Sequence, residues 1–148
     1  MVKKNKNEIE TSAFLHKLSE APDIEKFIES NAEEMQIPSF AAYITNICKK
    51  TGKVPEQVIK NSAIERTYGH QLFNGTRKPS RDKVIQLAFG FKMVLEETQK
   101  LLQIAQKSPL YPKIKRDAAI IYCMNNHKDI FETQSVLQSL GLTLLGGE

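Results

Sequence analysis

The chain has 148 residues, 21 Lys and Arg against 17 Asp and Glu, a net charge of +4, and 41% hydrophobic side chains. That length suits one ordinary domain, or one domain with extensions, and the apolar content is enough for a core. The longest apolar stretches, such as Ala118 to Met124, fall far short of a membrane span. Residues 1–7 are basic with no apolar segment behind them, which argues against a secretory signal and for a cytoplasmic protein. Cys48 and Cys123 sit on apolar helical stretches and read as buried thiols of a cytosolic protein rather than a disulfide.

Taken in chain order, the first segment is a polar, lysine-rich tail over Met1 to Asn7, expected to be disordered, in which Lys3, Lys4 and Lys6 are at most a short basic arm. A helix is predicted from about Ile9 to Ser19 and a second from Pro22 or Asp23 to about Met35, broken by Ala21-Pro22-Asp23. Residues 8–36 hold eight acidic and two basic side chains, so this pair reads as an acidic hairpin, residues 1–38 with the tail. Ser39 then caps a helix whose Phe40, Tyr43, Ile44, Ile47 and Cys48 form an apolar stripe, stopped at Thr51-Gly52.

Residues 53–80, KVPEQVIKNSAIERTYGHQLFNGTRKPS, read as two short helices joined by a tight turn and followed by a basic loop. Val54, Val58 and Ile59 supply one apolar face; Ile64, Tyr68 and Leu72 supply the next. Pro55 suits a first helical turn and Asn74-Gly75 a helix end. Residues 53–83 carry seven basic and three acidic side chains, the charge a phosphate-facing surface requires, although exposed helix faces also collect Lys and Arg. Ser80 is expected to cap a helix over Arg81 to Phe89, with a break at Gly90-Phe91-Lys92 and a further helix from about Leu95 to Gln106.

The remainder repeats this last pair. At an offset of 35 residues, eight of the 25 positions from 81 to 105 are identical, among them Arg81 with Arg116, Asp82 with Asp117 and Gln99 with Gln134. A C-terminal hairpin, about Lys113 to Asn126 and Asp129 to Leu140, is therefore expected to resemble its predecessor. Amphipathic hairpins share composition in any case, so coincidence stands as the alternative.

The segment 53–80 resembles the helix-turn-helix core of the lambda-repressor-like (Xre-type) family, and its ending, Gly75-Thr76-Arg77-Lys78-Pro79-Ser80, is close to the family's Gly-x-Arg-x-Pro-Ser. The resemblance implies an all-α chain: a five-helix helix-turn-helix domain over 39–107, between the N-terminal acidic hairpin and a C-terminal hairpin over 108–148. It departs from the family in having Pro55 where a phosphate-touching Gln is usual, Gly69 where a β-branched residue is usual, and Phe73-Asn74 in place of a charged pair. Gly69 implies close backbone approach or a helix supported from elsewhere, since glycine costs a helix roughly 1 kcal/mol relative to Ala.

By matching positions, Glu65, Arg66, Thr67, His70 and Gln71 would face a major groove. Arg can pair with guanine, Gln with adenine, and Thr with a thymine methyl, while Glu65 would either accept from cytosine or cap its helix. Tyr68 is either core or a phosphate contact. Lys53, Asn74, Thr76, Arg77, Lys78 and Arg81 would hold phosphates and set register.

No catalytic or metal-binding constellation emerges: His16, His70 and His127 lie apart, and Glu33-Glu34 and Glu96-Glu97 read as solvated helix faces. No enzyme activity, metal or cofactor is expected. The resemblance implies a bacterial or phage regulator of transcription that binds double-stranded DNA, often as a dimer. A homodimer or partner surface would lie on Ile120, Ile121, Tyr122, Val136, Leu137, Leu140 and 142–145, unless these residues simply cover the motif domain. The alternative is a protein-interaction adaptor, or an antitoxin-like partner protein, that keeps the fold without DNA. The acidic hairpin is then a solubilising surface or an inhibitor that competes with phosphate.

Overall fold

The computed structural model describes residues 6–146, and side chains from Thr11 onward. The first five residues of the expected lysine-rich tail lie outside that range. Among the described residues there are nine α-helices and no strand, so the chain is all-α, and no helix is long and apolar enough to cross a membrane. The chain divides into two compact units between Ile37 and Pro38.

The first unit contains α1 (Lys6–Ser19) and α2 (Ile24–Ser30). Asp23 caps α2 by accepting from the backbone N–H groups of Glu25 and Lys26, and the Phe14 and Phe27 rings meet edge to face at 5.4 Å. The expected second helix extends to Met35, but α2 stops at Ser30. Asn31, which is buried, donates its side-chain amide to the Phe27 carbonyl at 2.7 Å and accepts from Lys17, so a side chain competes for the carbonyl and the chain turns away.

The second unit contains α3 (Phe40–Thr51), α4 (Pro55–Asn61), α5 (Arg66–Asn74), α6 (Arg81–Gly90), α7 (Leu95–Ile104), α8 (Lys115–Asn125) and α9 (Ile130–Ser139). Ser39 and Ser80 cap α3 and α6 through their hydroxyls, and Gly52 and Gly75 end α3 and α5 in the left-handed conformation at φ 72° and 85°. The centre of the unit is α6. Seven consecutive residues, Val84–Gly90, are buried, because α4, α7 and α9 all pack against it. A helix apolar on one side only would leave a solvated face; this one has none over its last two turns. Ile44, Val58, Leu72, Leu101, Ile120 and Leu137 join it in one core. Cys48 and Cys123 are buried free thiols within that core, and burial pushes the Cys48 thiol pKa up.

Helix α6 ends at the break expected over Gly90-Phe91-Lys92, and Gly90 serves packing rather than the turn itself. It is the last residue of α6, and the left-handed residue is Lys92, at φ 59°. A Cβ at Gly90 would lie 1.9 Å from the Ser62 hydroxyl and 2.6 Å from the Val58 carbonyl oxygen, so the missing side chain is what lets α6 touch α4. Gly69 does the same for α5 and α4: a Cβ there would lie 2.4 Å from Cγ2 of Ile59. Of the two readings of Gly69, close approach is the one observed.

The 35-residue repeat is carried into three dimensions. Arg81 bonds Asp117 at 2.9 Å, and Arg116 bonds Asp82 at 2.8 Å. Arg81 also donates to the carbonyls of Ser108 and Pro109; Arg116 donates to those of Thr143 and Leu144. Gln99 exchanges two hydrogen bonds with the backbone of Leu110, and Gln134 does so with Leu145. Asp117 accepts from the Tyr111 N–H, and Asp82 accepts from the Gly146 N–H. Each partner is displaced by the same 35 residues, and each cross-contact is reciprocal, the mark of a two-fold relation. Coincidence of composition does not produce matched hydrogen bonds.

The C-terminal hairpin thus belongs to the second unit. Ile120, Leu137 and Leu145 are buried in its core, Ile121, Val136 and Leu142 are half-buried against it, and Tyr122, Leu140 and Leu144 stay exposed.

Candidate nucleic-acid interface

The segment from α4 to the loop after α5 is positioned from beneath. Pro55 opens α4 at N1, where its missing N–H is no loss. The turn between the helices is held by Ser62, fully buried, whose hydroxyl donates to the Val58 carbonyl at 2.7 Å. Gln86 of α6 donates to the carbonyls of Ser62 and Ala63, and Ala63 takes a left-handed φ of 55°. This pins the angle at which α5 leaves the core.

Glu65 is the N-cap of α5. Its carboxylate accepts from the backbone N–H groups of Tyr68 at 2.8 Å and Thr67 at 2.9 Å, and these two bonds, the Tyr68 bond first, hold its pKa below the usual carboxylate range. Of the two readings of this residue, the cap is the one seen. Thr67 follows it, exposed in the first turn.

Arg66 and His70 both meet Glu56 from the first turn of α4. Arg66 Nε donates to Oε1 at 2.6 Å, and His70 Nε2 lies 2.7 Å from Oε2. Hydrogen bonds from Arg66 and then His70 lower the Glu56 pKa, and the carboxylate raises that of Arg66. One helical turn on, Gln71 accepts from Arg77 Nε at 2.8 Å, and the Arg77 guanidinium lies over the Tyr68 ring at 4.4 Å. Lys83 approaches the same ring at 5.4 Å, so Tyr68, half-buried, is a platform between two cations. Asn74 accepts from the backbone N–H and the hydroxyl of Thr76, which shapes the loop carrying exposed Arg77 and Lys78.

Two of the expected phosphate contacts point elsewhere. Arg81 is turned toward Asp117 and two carbonyls, with its side chain 23% exposed. The Lys53 ammonium donates to the Phe91 carbonyl and lies 6.0 Å from the Phe91 ring centre. Of the remaining expected residues, Glu65, Arg66, Thr67, Asn74, Thr76, Arg77 and Lys78 are exposed at the two ends of α5 and in its following loop, and His70 and Gln71 are half-buried between them.

Glu56, Lys83 and Gln86 were not legible as members of this site. Glu56 is ten residues from Arg66, across a turn, and no local spacing joins them. A concavity of about 520 Å³ opens elsewhere, beside Phe89, Met124 and Phe131; its Asp129 and Glu132 are reciprocally bonded in the capping box of α9. Among the described residues no group of His, Cys, Asp and Glu is placed to hold a metal ion.

No protein-family model, curated protein or solved structure matches the chain.

Proposed function

We propose that α3–α7 form a lambda-repressor-like helix-turn-helix domain and that the protein binds double-stranded DNA sequence-specifically to regulate transcription. In this reading α5 enters the major groove, with Arg66, Thr67, His70 and Gln71 toward base edges and Asn74, Thr76, Arg77 and Lys78 toward phosphates. The observation that carries it is the exposed first turn of α5, Arg66 and Thr67, on a helix packed against α4 at Gly69, preceded by a turn that Gln86 holds, and followed by a basic loop. Arg66 and His70 are held by the exposed Glu56, and such surface pairs are weak enough to exchange for DNA contacts.

Fluorescence anisotropy with mixed genomic fragments tests this. Affinity should fall steeply with salt as counterions are released, and Arg77→Ala with Lys78→Ala should flatten the slope by about two on every sequence. Absence of binding to any duplex at low salt would reject it. Deleting residues 8–36 should tighten binding if the acidic hairpin inhibits, and unchanged affinity would reject inhibition.

The second reading, a protein-interaction adaptor, is favoured by one specific feature: Arg81 and Lys53 spend their charges on the protein's own carbonyls and carboxylate.

A further inference from the structure

Glu56 holds two of the proposed base-reading side chains on one carboxylate. Oε1 takes Arg66 and Oε2 takes His70, at 2.6 and 2.7 Å. The cluster is open to water, with the Glu56 side chain 53% and the Arg66 side chain 77% exposed, so an incoming ligand can reach it directly. We propose that Glu56 is a specificity-determining residue: an anionic gate that withholds Arg66 from phosphates while leaving it able to read a guanine. This rests on the DNA-binding reading above and deepens it.

The chemistry of the two possible targets differs. A phosphate approaching Arg66 meets a guanidinium that already has an anion at hydrogen-bond distance. Replacing a carboxylate by a phosphate exchanges one anion for another. The displaced carboxylate is then left facing the negative field of the backbone, a like-charge contact that costs binding. A guanine edge carries no net charge. It offers O6 and N7 as acceptors to two parallel N–H donors. The Glu56 bond uses Nε of Arg66, so the terminal nitrogens retain donors in the guanidinium plane for that fork. The carboxylate need not leave; it fixes the plane of the guanidinium and lowers the entropy lost when the base is bound. Glu56 therefore weakens sequence-independent binding and spares sequence-dependent binding, which widens the ratio between them.

The test is Glu56→Gln in the full-length protein, which removes the charge and keeps the length of the side chain. Two probes are compared by anisotropy: a random-sequence duplex, and the tightest duplex selected from a random library by the unaltered protein. On random duplex, E56Q should bind more tightly, with a salt slope steeper by about one, the single Arg66 charge no longer neutralised. Its advantage should then shrink about 3.5-fold between 50 and 200 mM salt, the factor a slope change of about 0.9 gives. Affinity for the selected duplex should rise less, so the specificity ratio falls. In an Arg66→Ala background the substitution at Glu56 should produce no change in slope. Tyrosine fluorescence melts of each variant establish that the fold is intact, and Glu56→Ala repeats the measurement without the residual amide.

The gate is overturned if E56Q leaves affinity and slope on random duplex unaltered. It is equally overturned if the gain survives in E56Q/R66A, because removal of a negative charge near DNA would then be the whole effect. If the unaltered protein binds no duplex at low salt, the DNA reading fails and the gate with it. Binding by the unaltered protein, with E56Q indistinguishable from it, defeats the gate alone.

Discussion

Asp117→Asn should destabilise the second unit by about 3 kcal/mol, and Asp82→Asn should do so by nearly the same amount. The Asp117 side chain is 3% exposed and its Arg81 partner 23%; for Asp82 and Arg116 the values are 7% and 20%. Breaking one partner of a buried pair costs about 3–5 kcal/mol, because the survivor remains desolvated without its counter-charge. The low end applies here, since each guanidinium reaches water at one edge and keeps two backbone carbonyls. Each carboxylate also accepts a backbone N–H, from Tyr111 or from Gly146, and an Asn in the wrong orientation would oppose that donor. The chain has no Trp, and Tyr43, Tyr68, Tyr111 and Tyr122 all lie in the second unit, so intrinsic tyrosine fluorescence during urea denaturation follows that unit alone. A loss of about 3 kcal/mol is a large share of the roughly 5–15 kcal/mol expected for a domain, and should lower Tm by more than 10 °C. The double variant D82N/D117N should cost less than the sum, because both pairs close the same interface. A cost below about 0.5 kcal/mol for either Asn variant, or costs that differ severalfold between the two sites, would refute the two-fold latch.

Glycine substitutions separate the two close approaches. Gly90→Ala meets the Val58 carbonyl and should destabilise by about 3 kcal/mol in the same urea assay, whereas Gly69→Ala meets the γ carbons of Ile59, so that combining it with Ile59→Ala, which removes both, should cost less than the sum of the two single changes. Ala63→Gly should stabilise by about 1 kcal/mol, because φ 55° strains an L-residue whose side chain is exposed, and a fall in the urea midpoint would contradict this. Glu56 and Glu65 have folded pKa values held below their ordinary 4.5, so their stabilising contribution is complete above about that pH and is lost as pH falls through the lowered values. An NMR titration of the two carboxyl carbons should place both midpoints below the ordinary glutamate value of 4.5; midpoints at or above it would show that the cap and the cluster do not form in solution.

Much of the fold could be read without coordinates. Helix starts at Ser39, Pro55 and Ser80 and stops at Gly52 and Gly75 depend on short-range chemistry, a hydroxyl or a left-handed glycine within a few residues of the bond it serves. The end of α2 was missed because Asn31 acts through a buried side-chain bond to Phe27 and a contact with Lys17, and burial is not a local property. The residues proposed to face bases can be grouped from position on one helix alone. Their restraint by Glu56, and the inward turn of Arg81 and Lys53, cannot be read that way, since each bond spans ten or more residues.

Sequence by itself determined the helices, the basic segment and the existence of a 35-residue repeat, because caps, periodicity and identity are carried by neighbours along the chain. Only the tertiary structure decided what Gly69, Gly90 and the four residues Arg81, Asp82, Arg116 and Asp117 are for. A glycine that admits another backbone and a charge that closes a two-fold interface have meaning only when the partner is in place, and the partner is brought there by packing of the core rather than by proximity in sequence.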